Sequence, residues 1–97
     1  MVKKIVWTKE ALENKFDILN YWTVRNKSNE YSRKLNKLFR ETTKVIQKFP
    51  NLGRPTKRKD IKSIQSREYL VFYKESEDSI FILHLWDGRQ DPAKRKY

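Results

Sequence analysis

The single histidine of this 97-residue chain is the side chain best suited to proton transfer near neutral pH. A period of two places His84 on one strand face with Ile80, Ile82 and Trp86, where a packed histidine is the commoner outcome. As a functional group it would be the base of a metal-free ribonuclease that uses the RNA 2′-hydroxyl as nucleophile. Such a site also needs phosphate-binding cations and an acid for the leaving oxygen. Four residues could fill these roles, although no spacing rule enforces it: Lys62, Arg67, Arg89 and Tyr97.

Arg89 stands out among these cations because it directly follows the last predicted strand. An arginine at that position can reach across an exposed sheet face and bind an anion through two parallel hydrogen bonds. The alternative is an ion pair with Asp87 or Asp91 that fixes the end of the strand. The sequence favours neither.

Positive charge dominates the composition, with 23 Lys and Arg residues against 12 Asp and Glu residues, a formal net charge of +11. A polyanion or an acidic protein is the implied partner, whereas the alternative is a solvated surface that keeps a small domain soluble. The basic residues concentrate in a mid-chain segment and at the C-terminus, and we expect the two groups to meet in one cationic hollow. The candidate target- or phosphate-binding residues are Arg54, Lys57, Arg58, Lys59, Arg89, Lys94 and Arg95.

Several classes of site are excluded by composition. The chain has no cysteine and one histidine, so it has neither thiolate nor multi-histidine metal sites, and no metal or cofactor is expected. It also lacks a phosphate-cradling glycine loop and a serine elbow. No apolar run is long enough to span a bilayer or to form a signal-peptide core, which predicts a cytoplasmic protein without membrane contact.

Hydrophobic periodicity predicts one α+β domain over residues 1–97, with a basic tail over about 89–97. A short strand at 5–7 precedes Thr8, a helix N-cap candidate. Helices are predicted from 11 to about 22, with Leu12 and Phe16 on or beside the apolar face, and from 30 to 49. Residues 50–55 are predicted as a loop, followed by strands at 61–65, 69–73 and 80–86, the last two central. The order strand-helix-helix-strand-strand-strand predicts a helical hairpin on one face of a small, mostly antiparallel sheet.

Three segments in this order resemble toxins of the RelE/ParE superfamily from type II toxin–antitoxin systems. They are FPNLGRP at 49–55, YLVFYK at 69–74 and ILHLWDGRQDP at 82–92. The resemblance covers essentially the whole chain. It implies a cognate antitoxin whose acidic segment folds on the toxin, and it implies no cofactor.

The resemblance leaves two activities open. RelE-like members are ribosome-dependent mRNA endoribonucleases. On the residues that such members use, Arg89 matches an arginine after the last strand and Lys62 matches a lysine of a strand. Tyr97 matches a tyrosine near the C-terminus, with a spacing that is two residues too long. The arginine that begins their third strand is missing, since Leu70 occupies its place and Arg67 lies three residues early. ParE-like members inhibit DNA gyrase or a related topoisomerase, and the glycine-arginine-proline loop favours this side. The remaining alternative is a nucleic-acid-binding domain without catalysis.

Overall fold

The computed structural model describes residues 2–97 and has the predicted α+β architecture. Two helices pack on one face of a five-stranded sheet, which leaves the opposite face, here called the open face, without a helix. The last strand is followed by a short 3-10 turn at Pro92–Lys94. The elements in chain order are β1 (Lys4–Trp7), α1 (Lys9–Asn26), α2 (Glu30–Lys48), β2 (Arg54–Pro55), β3 (Ile61–Ser66), β4 (Tyr69–Glu75) and β5 (Ser79–Asp87).

The sheet has the spatial order β1-β5-β4-β3-β2, with β1 parallel to β5 and every other pair antiparallel. The apolar strands β4 and β5 are internal, as predicted. The prediction of a loop over residues 50–55 was wrong for its last two residues. Arg54 and Pro55 form the edge strand β2, opposite Ser63 and Lys62. A two-residue strand gives too short a pattern to recognise, and an edge position tolerates a proline that donates no ladder hydrogen bond.

The core lies between the helices and the sheet. Leu35, Phe39 and Ile46 of α2 are buried against Val71 of β4 and Ile82 of β5. Thr8 caps α1 as predicted, since its side chain accepts a hydrogen bond from the Ala11 amide at 3.2 Å. The helix runs on to Asn26, four residues beyond the predicted end.

Two apolar residues of α1 lie outside this core. Leu12 is 46% exposed, so the prediction that it belongs to the buried apolar face was wrong, and Phe16, predicted at the edge of that face, is 70% exposed. In an 18-residue helix that contributes only Ala11 as a fully buried side chain, apolar spacing alone does not tell a core stripe from a surface one.

A register shift in β5 changes the face on which His84 lies. Phe72 pairs with His84, but the next residue of β4, Tyr73, pairs with Ile82, so Leu83 is an extra residue on β5. Ile82 therefore faces the helices while His84 faces the open side. The prediction that His84 shares a face with Ile80 and Ile82 was wrong, because it assumed unbroken alternation.

Tyr73 ties the loop before β2 to the sheet. Its buried hydroxyl donates to the Pro50 carbonyl oxygen at 2.7 Å and accepts from the Gly53 amide at 3.0 Å. A Cβ atom on Gly53 would collide with this hydroxyl, so the glycine permits the close approach. Desolvation of the phenol raises the pKa of Tyr73. These two bonds fix the point at which the chain enters β2.

Replacing Tyr73 by Phe should lower the free energy of unfolding by about 1–3 kcal/mol, because it leaves the Pro50 carbonyl and the Gly53 amide without their partner. Chemical denaturation measures this loss, and hydrogen exchange should show faster exchange at the Gly53 amide. Tyr21→Phe is the matched control, since Tyr21 is 53% exposed and its hydroxyl has only a 3.5 Å contact with Arg25. Equal stability of the two variants would contradict the anchoring role.

Candidate functional site

The open face has an aromatic floor that the C-terminal segment covers. Phe72 is fully buried there, and its ring lies beside that of His84, with 6.1 Å between centroids. The Tyr97 ring lies 5.3 Å from Phe72, and the Arg95 guanidinium carbon lies 5.7 Å from the same ring. Trp86 stacks on His84 at 6.3 Å. The tail therefore folds back over the sheet.

Glu10 at the start of α1 fastens this segment. Its Oε2 lies 2.8 Å from His84 Nδ1, and its Oε1 accepts a hydrogen bond from Lys96 Nζ at 2.7 Å. The bonds from Lys96 and His84 stabilise the carboxylate and lower the pKa of Glu10, although partial burial opposes them. The same carboxylate raises the pKa of Lys96. The second histidine nitrogen, Nε2, is buried and has no hydrogen-bond partner among residues 2–97. In this arrangement His84 holds the tail, and Nε2 is closed to solvent.

Arg54, the first of the mid-chain cations, lies on the β2 side of the open face. Arg54 pairs with Ser63, which pairs with Phe72, so these three residues form one row across neighbouring strands. With about 4.8 Å between strands, Arg54 lies roughly 10 Å from Phe72 along the row. Beside it is a hollow of about 180 Å³ whose lining includes Ser63, Gln65 and Leu70. This hollow is small and cationic at its rim.

The connection between β2 and β3 carries the exposed residues Lys57, Arg58 and Lys59. Asp60 is within 3.7 Å of Arg58 and 3.3 Å of Lys74, and the Lys74 ammonium is the main cause of a lowered pKa at Asp60. One carboxylate thus holds two of the cations in this region.

The mid-chain basic residues and those of the C-terminal segment come together only in part. Arg58 is close enough to Lys96 that its positive charge opposes the rise in the pKa of Lys96, and Arg95 lies over the aromatic floor. Lys94 is exposed on the 3-10 turn. Arg89, by contrast, is on the helix side of the molecule, so the structure separates it from the other candidate cations.

Arg89 belongs to an aromatic cluster at the far end of β5. Its Nε and Nη2 donate to the two carboxylate oxygens of Asp87 at 3.0 and 2.9 Å, the ion pair that the sequence left as an alternative. This pairing lowers the pKa of Asp87 and raises that of Arg89. The guanidinium carbon lies 5.7 Å from the centre of the Trp22 ring, and the Trp22 indole donates to the Tyr69 hydroxyl at 2.8 Å. A cleft of about 340 Å³ opens beside it, lined by Asp17, Ile18, Tyr21, Tyr69, Asp87, Arg89 and Gln90.

The remaining ribonuclease candidates do not gather around His84. Lys62 pairs with Pro55 and Tyr73 on the neighbouring strands. Like Tyr73, it therefore lies on the face of the sheet that the helices cover. Arg67 occupies the β3–β4 turn with a left-handed backbone, φ 55°. Tyr97 is the candidate that lies beside His84, with ring centroids 6.1 Å apart.

Sequence reasoning missed two residues that organise these sites. Glu10 lies 74 positions from His84, so no local spacing links them. Trp22 was assigned only to the apolar face of α1, although its position near the helix end lets it meet the chain beyond β5. The described part of the chain contains no group of three acidic, histidine or cysteine side chains placed to hold a metal ion. Within residues 2–97, no helix combines the length and apolarity required to cross a membrane.

Acidification should release the tail. Because the pKa of Glu10 is lowered in the folded state, its contacts contribute above the usual value of 4.5 and are lost as the pH falls through the lower folded value. The Lys96 ammonium that faces this carboxyl group has only donors, so it offers no replacement acceptor. We expect the NMR shifts of the Tyr97 ring to move toward free-peptide values on titration from about pH 6 to pH 3.

Glu10→Gln should give the released shifts already at neutral pH. Glu13→Gln, on the exposed surface of the same helix, should behave like the parent protein. Parent-like Tyr97 shifts in Glu10→Gln would show that ring packing alone holds the tail.

Comparison with known proteins gives a match along most of the chain. A family model described as the ParE toxin of the type II toxin-antitoxin system, parDE, matches residues 5–92. A search of curated protein sequences finds no match.

The fold is similar to a solved structure described as the chromosomal ParDE TA system from P. aeruginosa. The TM-score is 0.77 at 19% identity, and the alignment covers 89% of this chain and 96% of the other. At that identity the likeness establishes the fold, whereas the family match extends over most of the sequence. The chain therefore belongs to the ParE toxin family of type II toxin–antitoxin systems.

Proposed function

We propose that this toxin inhibits DNA gyrase or a related topoisomerase through protein–protein contacts, and that a cognate antitoxin with an acidic segment neutralises it. The observation that carries the proposal is the cluster around Arg89 and Trp22. Its residue types are those that dominate binding energy at protein interfaces, namely Trp, Tyr and Arg.

The geometry of this cluster suits recognition of a protein surface. Tyr21 is 53% exposed beside the half-buried Trp22, with ring centroids 5.1 Å apart. Two arginines approach the same indole, Arg25 at 6.0 Å and Arg89 at 5.7 Å. The Asp87 carboxylate holds the Arg89 side chain in one orientation, which reduces the conformational entropy lost on binding. A rigid aromatic and cationic edge beside an open cleft is therefore available to a partner.

The arrangement around His84 supports inhibition by contact over RNA cleavage. A ribonuclease that uses the 2′-hydroxyl needs its base, its acid and its phosphate-binding cations around one scissile bond. Here the Nε2 atom of His84 is buried, and Lys62, Arg67 and Arg89 lie apart from it. The ribosome-dependent mRNA endoribonuclease remains the rival reading, since Tyr97 does lie beside His84.

Net charge supports an acidic antitoxin. A formal charge of +11 on 97 residues attracts an acidic chain, and an acidic antitoxin segment would cover cations such as Arg54, Arg58 and Arg95 on the open face. Coupled folding of that segment would give a large interface.

Arg89→Ala should weaken inhibition of gyrase supercoiling by about 30-fold or more, the loss expected when a central interface arginine is removed. The fold should persist, because Asp87 is partly exposed and water can replace the guanidinium. Plasmid supercoiling assays with purified gyrase and growth arrest at matched expression measure the effect. Arg33→Ala, an exposed arginine of α2 without an ion pair in the described chain, is the matched control. Full inhibition by Arg89→Ala would assign Arg89 a structural role only.

Removal of the Tyr97 side chain separates the two activities. Tyr97→Ala should leave supercoiling inhibition within about twofold of the parent, because this ring lies on the open face, away from Trp22 and Arg89. Cells expressing either protein should show a DNA-damage response with intact mRNA. Codon-biased cleavage of mRNA by purified ribosome complexes, abolished by Tyr97→Ala, would instead support the endoribonuclease.

A further inference from the structure

The C-terminal half of α2 carries an exposed apolar surface next to the start of β1. Val45 is 41% exposed and Phe49 is 60% exposed, and they are four residues apart, so their side chains lie on one side of the helix. Val2, which is 75% exposed, joins them. The surface forms a hollow of about 550 Å³ lined by Val2, Lys44, Val45, Gln47, Lys48 and Phe49, which we call the α2 surface.

The charged side chains that line this hollow, Lys44 and Lys48, are both positive, and the exposed Glu41 lies one turn before Val45 on the same helix. Arg40 continues the row of Lys44 and Lys48 one turn earlier, since residues four apart lie above one another on a helix. In the part of the chain that the structure describes, none of these three side chains has a carboxylate within 4.0 Å. Like charges at this spacing on a helix repel each other. An anionic partner would remove that repulsion.

The environment of Lys15 adds to this picture. Its ammonium lies 4.6 Å from the centre of the Trp7 ring, between α1 and the sheet. Burial lowers the pKa of Lys15, and the positive charge of Arg40 lowers it further. Positive charge therefore extends from Arg40 of α2 to Lys15 on the neighbouring helix.

We propose that the α2 surface binds an acidic amphipathic segment of the antitoxin, an inference that rests on the proposed function. The apolar side of the segment would cover Val45 and Phe49, and its carboxylates would pair with Lys44 and Lys48. Burial of the apolar area supplies affinity, and the lysines select an acidic sequence.

The position of this surface has a consequence for neutralisation. β1 begins opposite Ser79 at the start of β5, and Gln47 of α2 donates to the Lys3 carbonyl oxygen, so the α2 surface lies at the beginning of β5. Arg89 lies beyond the end of β5, which spans nine residues or about 30 Å. A segment bound only at the α2 surface therefore leaves the Arg89 edge uncovered.

The test is a titration of the full-length toxin with the protein encoded by the adjacent reading frame, the antitoxin expected from the operon. The double variant Lys44→Glu/Lys48→Glu should bind at least about 30-fold more weakly than the parent, and Phe49→Ser about tenfold more weakly. Lys9→Glu/Lys27→Glu is the matched control, because it makes the same change in net charge at exposed residues of α1 and its C-cap. Circular dichroism verifies the fold of each variant. Inhibition of gyrase should be unchanged in the α2 variants, since Lys44, Lys48 and Phe49 lie at the other end of β5 from Arg89.

Three results would overturn the inference. If both double variants bind alike, net charge and not the α2 surface controls affinity. A 20-nucleotide single-stranded RNA is titrated in the same way. If Lys44→Glu/Lys48→Glu weakens the binding of this RNA as much as it weakens the binding of the antitoxin, the α2 surface binds anions in general. If the adjacent protein does not bind the parent toxin at all, the antitoxin part of the proposed function fails, and the inference fails with it.

Discussion

Unequal strand lengths are the constraint on which much of this structure depends. β1 has four residues and its parallel partner β5 has nine, so the outer edge of β5 loses its partner strand after Ile82. Unpaired backbone groups inside a domain are costly, and α1 supplies the missing partners. The Thr8 amide and hydroxyl each donate to the Ile82 carbonyl oxygen at 3.0 Å, and Asn14 Oδ1 accepts from the Leu85 amide at 3.2 Å. The start of α1 is thereby fixed against β5, and Glu10 is brought within reach of His84.

The bulge at Leu83 lies in the same region of β5. It explains why the sequence analysis assigned His84 to the wrong face of the sheet. Ile82 and Leu85 both face the helices although they are three residues apart, which strict alternation forbids. Alternation predicts the strand itself, because apolar residues recur throughout 80–86. It cannot reveal an extra residue, since the bulge is held by tertiary contacts such as that of the Thr8 hydroxyl with the Leu83 carbonyl oxygen, 75 positions away in the sequence. The face on which His84 lies was therefore beyond local reasoning.

Amphipathic periodicity predicted α2 more reliably than α1, for a physical reason. The buried residues Leu35, Phe39 and Ile46 repeat at the helical period along one side of α2, because that side packs on the sheet. The helix α1 lies over the sheet edge and offers polar groups such as Asn14 to β5, which interrupts its apolar stripe. The course of residues 92–97 over the open face was likewise not predictable. It depends on a bond between Lys96 and Glu10, 86 positions apart, and no local pattern reports such a contact.

Charge explains attraction to a partner but not the choice between partners. Five of the twelve carboxylates, those of Glu10, Glu30, Asp60, Glu75 and Asp87, are engaged in ion pairs, so much of the negative charge is neutralised within the molecule. The field outside is positive and extends about one Debye length, 8–10 Å in physiological salt. An acidic antitoxin and an acidic region of a topoisomerase would both be drawn by that field. Discrimination must come from short-range contacts, where the two ends of β5 differ in chemistry. One end offers Trp22, Tyr21 and a clamped Arg89, which suit a rigid surface. The other offers Val45 and Phe49 between flexible lysines, which suit a segment that folds on binding.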